Sequence, residues 1–287
     1  MGPVVAVVAA GNMGAAVGAR LAERGAEVLT SLAGRGEASR ERARAAGMRD
    51  APDELLARAD YVLSIVPPAS ALSFARHLAP KLAAADRKPL YVDCNAVSPG
   101  TALRIGECIA ATGAAFVDAG IIGPPPRAGR PGPKFYASGP HAAGFAALAA
   151  HGLEIRVLDA PVGAASALKM SYAGIGKGLA AIGVAMLLAA GRAGVADALC
   201  AELEESRSEL LTFLKRTVPP TFPKAYRYVG EMQEIAAFAG DDAAAASIYR
   251  GAAELYAQLA RDVAGDRVEA RQLEVFLGSR EQSSDSR

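Results

Sequence analysis

Val4-Val5-Ala6-Val7-Val8-Ala9-Ala10-Gly11-Asn12-Met13-Gly14 is the stretch that decides the fold of this chain. An apolar run ends in small residues, and an amphipathic helical pattern follows over residues 13–24, closed by Gly25. A turn of this kind brings backbone N–H groups and the positive end of a helix up to a diphosphate. It reads as a dinucleotide-binding turn of the G-x-G-x-x-G type, with Ala9 in place of the first glycine. Short glycine patterns recur by chance, and an ordinary βα turn is the plain alternative. Position favours the nucleotide reading, because this turn stands directly between a strand pattern and a helix pattern. Ala10, Gly11, Asn12, Met13 and Gly14 are therefore the candidate diphosphate-binding residues.

From there the alternation continues. Strand patterns fall at residues 3–9, 26–31, 60–66, 89–93, 114–118, 133–138 and 154–158, with helical patterns at 13–24, 37–46, 52–58, 69–84, 98–112 and 140–150. Short apolar runs separated by Ala-rich amphipathic segments imply βαβ crossovers and a mostly parallel, doubly wound sheet. The strands beyond Pro124-Pro125-Pro126 are expected to pair differently. After residue 159 the strand signals stop. Residues 162–278 read as helix, broken most clearly at Pro219-Pro220 and Gly240-Asp241-Asp242. The expectation is an α/β Rossmann-type domain over 1–159, an all-α substrate and dimerisation domain over 160–278, and a disordered polar tail over 279–287.

The bulk figures exclude several classes. A net charge of +1 in 287 residues leaves no electrostatic footprint for nucleic acid or an anionic membrane. Cys94, Cys108 and Cys200 stand far apart, with no C-x-x-C pair, so neither a disulfide framework nor a zinc site is expected. His77, His141 and His151 show no metal-ligand spacing, and no metal is expected. The first residues carry no basic n-region and enter the first strand at once, which predicts no signal peptide and a cytoplasmic protein. The apolar stretch 174–191 is interrupted by Lys177 and rich in Ala and Gly, and reads as a buried helix, not a membrane span.

The end of the second strand sets the nicotinamide cofactor. An NAD site places a carboxylate there for the ribose 2′-hydroxyl. Here Glu27-Val28-Leu29 runs into Thr30-Ser31-Leu32, then Gly34-Arg35-Gly36 and Ser39-Arg40, and Glu27 lies at the wrong end of the strand. Hydroxyls and a guanidinium suit a 2′-phosphate dianion. Thr30, Ser31 and Arg35 are the candidates, and NADP(H) is preferred with NAD(H) still open; the alternative is a solvated helix start carrying surface arginines.

Taken together these motifs resemble the β-hydroxyacid dehydrogenase superfamily, which includes 3-hydroxyisobutyrate, tartronate semialdehyde and 6-phosphogluconate dehydrogenases. The chain looks most like its short bacterial "NAD-binding, phosphogluconate dehydrogenase-like" subgroup, through Pro223-Lys224-Ala225-Tyr226-Arg227. Besides the nucleotide turn, Ile65-Val66-Pro67-Pro68 resembles the loop that borders the cofactor, which implies Val66, Pro67 and Pro68 as contacts. Asp93-Cys94-Asn95-Ala96-Val97-Ser98-Pro99 corresponds to the loop near nicotinamide, which implies Asn95. Asp118-Ala119-Gly120-Ile121-Ile122-Gly123-Pro124 looks like the family's substrate loop Asp-Ala-Pro-Val-Ser-Gly-Gly, which implies Ile121, Ile122 and Gly123. Two departures bear on substrate: Ile122 stands where the family has serine, and Pro124 replaces its last glycine.

The run Gly163-Ala164-Ala165-Ser166-Ala167-Leu168-Lys169-Met170 matches the small-residue segment before the family's catalytic lysine, which assigns Lys169 that role by resemblance. A lysine with its pKa lowered by burial exchanges a proton with an alcohol or carbonyl near neutral pH. A lysine snorkelling from a buried helix is the competing reading. Ala173 replaces the asparagine expected one turn later, with Tyr172 and Lys177 close enough to compensate. Lys177 lies two turns on and either tunes Lys169, binds an anion, or is a surface lysine. Lys224, Tyr226 and Arg227 are substrate-binding candidates by resemblance; read without it, Lys224, Arg227, Glu231 and Glu234 form i, i+4 pairs on a solvated face.

The expected activity is hydride transfer between NADP(H) and a hydroxy/oxo small molecule, with Lys169 as general acid/base. Two alternatives stay open: an imine reductase, which generally has Asp or Tyr in place of the lysine, and a non-catalytic NADPH-binding sensor or scaffold. A homodimer through the helical domain is expected, since a helix apolar on nearly all faces must be covered on all sides.

Overall fold

The computed structural model describes residues 2–127 and 132–278; the tail 279–287 lies outside them. Two compact units are present, Met1–Ser171 and Tyr172–Arg287, so the division falls inside a long helix and after the Ala160 boundary expected above.

Unit 1 is built on one sheet. Its strands are β1 (Val4–Val8), β2 (Glu27–Thr30), β3 (Arg49–Asp50), β4 (Tyr61–Ser64), β5 (Leu90–Asp93), β6 (Ala115–Ile122), β7 (Lys134–Ser138) and β8 (Glu154–Val157). Their order is β3-β2-β1-β4-β5-β6-β7-β8. The first six are parallel, β7 runs antiparallel to β6, and β8 is parallel to β7. Between the strands lie α1 (Asn12–Glu23), α2 (Glu37–Ala45), α3 (Asp53–Leu56), α4 (Pro68–Ala84), α5 (Pro99–Ala110) and α6 (Ala142–Ala146), the last continued by a 3-10 turn over Ala147–His151. Every strand pattern of the sequence became a strand. The two-residue β3 was missed because it is too short to show any periodicity.

Both sheet faces are covered, which is why these strands read as unbroken apolar runs. Val5, Val7, Leu63, Val92 and Val117 face one core with Val17, Leu21 and Phe145. Ala6, Val8, Val62, Tyr91 and Phe116 face the other, with Leu78 and Leu82 of α4 and Ile105 and Ile109 of α5.

Residues 118–122, read as a substrate loop, are strand. β5 ends opposite Asp118, but β6 continues to Ile122 because β7 keeps pairing with it from Asp118↔Ser138 to Ile122↔Lys134. An antiparallel ribbon therefore projects past the ends of the parallel strands.

Unit 2 is all helical. α7 (Ala164–Arg192) enters it from unit 1, followed by α8 (Ala196–Ser206), α9 (Ser208–Thr217), a 3-10 turn at Pro219–Lys224, α10 (Ala225–Ala239), α11 (Ala243–Ala264) and α12 (Val268–Phe276). The breaks come at Pro219-Pro220 and Gly240, as expected. Ala180, Val184, Leu187 and Leu188 of α7 pack with Leu211, Leu214, Phe222, Leu259 and Leu273.

α7 contains the apolar stretch expected to be a buried helix. It is long and apolar enough to cross a membrane, yet half of its most apolar window is buried inside the protein. Nor is it covered on all sides: Ile175, Leu179, Ile182 and Met186 are 66, 45, 56 and 58% exposed. Val184, Leu187 and Leu188 face the core with Ala180 and Ala181, while Ile175, Leu179, Ile182 and Met186 line the opposite side.

The start of α7 is held by a carboxylate from the sheet. Asp118 Oδ2 accepts from the Gly163 amide at 2.9 Å, the Ser166 amide at 3.1 Å and Ser138 Oγ at 3.0 Å, while Oδ1 accepts from Ser166 Oγ at 2.6 Å. Ser138 Oγ accepts in turn from the Ala165 amide at 3.0 Å. Asp118 thus caps the helix and places a negative charge at its positive end. Asp118→Ala leaves these buried donors without an acceptor, and the expected loss is about 3 kcal/mol or more of stability. A denaturant titration checks it, as a lower midpoint with unchanged slope.

Candidate functional site

The nucleotide turn has the geometry its sequence implies. Gly11 N donates to Ala9 O at 2.8 Å, and Ala15 N to Gly11 O at 2.8 Å, which turns the chain straight from β1 into α1. Gly11 and Asn12 are exposed, and no side chain caps the first turn of α1. The first-turn amides of Asn12, Met13 and Gly14 are left uncapped by a side chain with the helix dipole behind them, as a diphosphate site requires. Gly14 fills the third glycine role: a Cβ there would lie 2.0 Å from Ala9 O, so any side chain would lift α1 off the strand. Ala10 is buried and Met13 half-buried behind the turn.

At the end of β2 lies a cavity of about 300 Å³ lined by Ser31, Leu32, Ala33, Arg40, Asp50, Ala51 and Pro52. Ser31 lines it as expected, whereas Thr30 is wholly buried and its Oγ1 has no hydrogen-bond partner. Arg35 is exposed and does not line the cavity; the guanidinium on its wall is that of Arg40. Arg40 donates to Arg35 O at 3.1 Å and Leu32 O at 3.0 Å, and so fixes the loop after β2. Arg42 donates to Ala10 O at 3.1 Å and Ser39 Oγ at 3.0 Å, which brings a second guanidinium to the nucleotide turn. Asp50 also lines the cavity, with Oδ1 accepting from Leu32 N at 2.9 Å. Sequence reasoning passed over Arg42 because it lies well beyond the strand end. The signal was its place on the helix that follows. Uncapped amides, a close-approach glycine and flanking guanidiniums fit a dinucleotide.

The two loops named from the resemblance are bonded to each other. Asn95 is 3% exposed, and its amide is fully committed. Oδ1 accepts from Val66 N at 2.6 Å, and Nδ2 donates to Ser64 Oγ at 2.9 Å and to Asp93 Oδ1. Asn95 therefore holds the loop at Val66, Pro67 and Pro68. Pro67 is exposed, while Val66 and Pro68 are half-buried.

Lys169 lies one and a half turns into α7, and its Nζ donates to Ile121 O at 2.7 Å, on the projecting end of β6. Gly120 makes that approach possible, since a Cβ there would meet Ala165 O at 2.9 Å and Lys169 Cβ at 3.0 Å. Ile121 is buried, Ile122 half-buried and Gly123 exposed, and the strand offers this lysine the Ile121 carbonyl.

In unit 2, Tyr172, Lys224, Tyr226 and Arg227 are exposed. Lys177 and Glu231 differ from expectation. Glu231 is 8% exposed, not on a solvated face, and its Oε2 accepts from Lys177 Nζ. That nitrogen stands 4.3 Å above the Tyr228 ring, whose edge meets Tyr256. Tyr256 OH donates to the Lys177 carbonyl at 2.8 Å. With its charge matched by Glu231, Lys177 is neither an open anion site nor a surface lysine.

Comparison with known proteins agrees with this geometry. Residues 4–151 match the NAD binding domain of 6-phosphogluconate dehydrogenase, and residues 190–259 match a domain of unknown function, DUF1932. An uncharacterized 28.5 kDa protein of Methanothermus fervidus is 34% identical over 215 residues, 74% of this chain and 81% of that one. The structure of the conserved protein MTH1747, described as of unknown function and similar to 3-hydroxyacid dehydrogenases, is 29% identical, with a TM-score of 0.66 over 93% of this chain and 98% of that one. Mycobacterium tuberculosis 3-hydroxyisobutyrate dehydrogenase with L-serine shares the fold at 20% identity and a TM-score of 0.66, over 96% and 99% of the two chains. By its nucleotide turn, its sheet and the match across its first half, the chain belongs to the NAD-binding family of 6-phosphogluconate dehydrogenase, a family of nicotinamide-dependent dehydrogenases.

Proposed function

We propose that the protein is an NADP(H)-dependent oxidoreductase that interconverts a hydroxyl and a carbonyl group on a small molecule, with Lys169 as general acid/base. The observation that carries this reading is the placement of Lys169. A helix start clamped by Asp118 and a side-chain-free approach at Gly120 hold its ammonium 2.7 Å from Ile121 O. The lysine can donate to a substrate oxygen while remaining oriented by the strand carbonyl. Bound nicotinamide would supply or accept the hydride. The protein's own part is to set the lysine and hold the proton at Nζ. Lys169→Ala is expected to lower kcat by about a hundredfold or more, with NADPH affinity within about twofold of the parent. Unchanged turnover would remove Lys169 from the chemistry.

NADP(H) is supported by Ser31, Arg40 and Arg42 around the end of β2, with exposed Arg35 adding charge nearby. A guanidinium pairs with a phosphate through two parallel donors. Arg40→Ala should weaken NADPH binding about tenfold and NADH binding about twofold or less, measured as dissociation constants. Equal losses for both cofactors would remove the 2′-phosphate assignment.

Assembly as a homodimer is supported by the exposed stripe on α7. Leu168, Tyr172, Ile175, Leu179, Ile182 and Met186 recur at alternating four- and three-residue spacing and are all exposed, the pattern of a helix–helix seam. Beside it, Ile182 and Ala185 of α7 and Ile248 and Leu255 of α11 line a groove of about 600 Å³. A second copy of the helix is the occupant such a seam fits. Light scattering at low micromolar concentration should return twice the chain mass of 29.3 kDa. A monomer mass would overturn the dimer.

A further inference from the structure

The parallel pairing of β2 with β3 sets one unused carboxylate beside the loop that follows β2. Thr30 pairs with Asp50, and Ala51 N donates to Thr30 O at 2.9 Å, so the two strands end side by side. The chain after β2 then bends toward β3, where Asp50 Oδ1 accepts from Leu32 N at 2.9 Å. Between these ends lies the cavity of about 300 Å³. Leu32 and Ala51 on its wall are buried apolar residues, and Ala33 and Pro52 extend that lining. Arg40 is held in the wall by its bonds to Arg35 O and Leu32 O. Neighbouring ionisable side chains pair with one another: Arg49 with Glu27, Asp53 with His77, and Glu54 with Lys81. Among the described residues Asp50 has no cationic partner, and its Oδ2 accepts no hydrogen bond.

We propose that Asp50 is a specificity-determining residue, whose Oδ2 accepts a hydrogen bond from the exocyclic amine of an adenine seated in this cavity. The inference deepens the nicotinamide-dinucleotide reading of the first unit and rests on it. Adenine is a flat ring whose edge offers one donor group, the 6-amine. Its faces suit the apolar walls at Leu32 and Ala51, and a guanidinium such as that of Arg40 stacks on such rings. An ionised carboxylate accepts and never donates, so beside the base it selects an amine over an oxygen at the same position. The other adenosine groups fit Asp50 less well. A 2′-phosphate repels it, and a ribose hydroxyl leaves the apolar lining without an occupant. The wrong base would set an acceptor against an acceptor, and neither could be satisfied. The bond from Leu32 N also fixes which way a substituted amide lies. That backbone group only donates, so in Asp50→Asn the side-chain oxygen stays with Leu32 N. The amide nitrogen is then left to the cavity, a donor in place of an acceptor.

The test compares dissociation constants for NADPH and its hypoxanthine analogue, in which a 6-oxo group replaces the 6-amine. The parent is expected to bind NADPH about tenfold more tightly than the analogue. Asp50→Asn should reverse that order and bind the analogue about threefold more tightly or better, because its amide nitrogen donates to the 6-oxo group. Asp50→Ala offers the base nothing, and should hold the two dinucleotides within about twofold of each other. A merely structural role for Asp50 would weaken both alike and leave their ratio at the parent value. That result, or a parent that binds both equally, overturns the base-reading role and leaves the cofactor site standing. No binding of either dinucleotide to the parent overturns the cofactor reading and this inference with it.

Discussion

The start of the helix that carries Lys169 depends on one buried carboxylate. Asp118 sits where β6 outruns its parallel neighbour, and it takes the amides of Gly163 and Ser166 together with two hydroxyls. A helix start leaves four amides without partners, and burying them unpaired is costly. By satisfying them from the sheet, Asp118 fixes where α7 begins and which way its first turns face. Lys169 follows from that placement, one and a half turns on.

Buried polar side chains at the ends of β4 and β5 join two loops of the first unit. Ser64, Asp93 and Asp118 stand side by side because their strands are parallel and in register. Polar groups so deep need partners, and Asn95 supplies them while reaching out to Val66. The Val66 loop is thereby fastened to Ser64 and Asp93 at the ends of β4 and β5. Bonds of this sort gain strength away from water.

In the second unit the polar interior is differently organised. Lys177 and Glu231 are matched inside a helical core, with Tyr228 over the ammonium and Tyr256 bonded to a carbonyl of α7. Removing one partner would strand the other charge, so such a pair specifies how α7, α10 and α11 register more than it adds stability. Gly174 and Gly178 of α7 admit Tyr249 at the same face.

By itself the sequence determined the sheet apart from β3, its strand limits to within two residues except at the end of β6, the helical second half and the nucleotide turn. Those features rest on local patterns: apolar runs, glycine where a Cβ would strike Ala9 O, and prolines that stop helices. Resemblance supplied Lys169. Tertiary structure decided what pairing across distance decides. Only the partnership with β7 makes strand of residues 119–122, and only the position of α2 brings Arg42 to the nucleotide turn and Arg40 to the cavity after β2, which Arg35 does not line. Asn95 read as a cofactor contact and proved to be bonded within the protein, since a side chain's partners on other strands leave no trace in its own neighbourhood of sequence. Glu231 read as a surface residue for the same reason: its i, i+4 spacing is that of a solvated face, and only the fold places Lys177 against it.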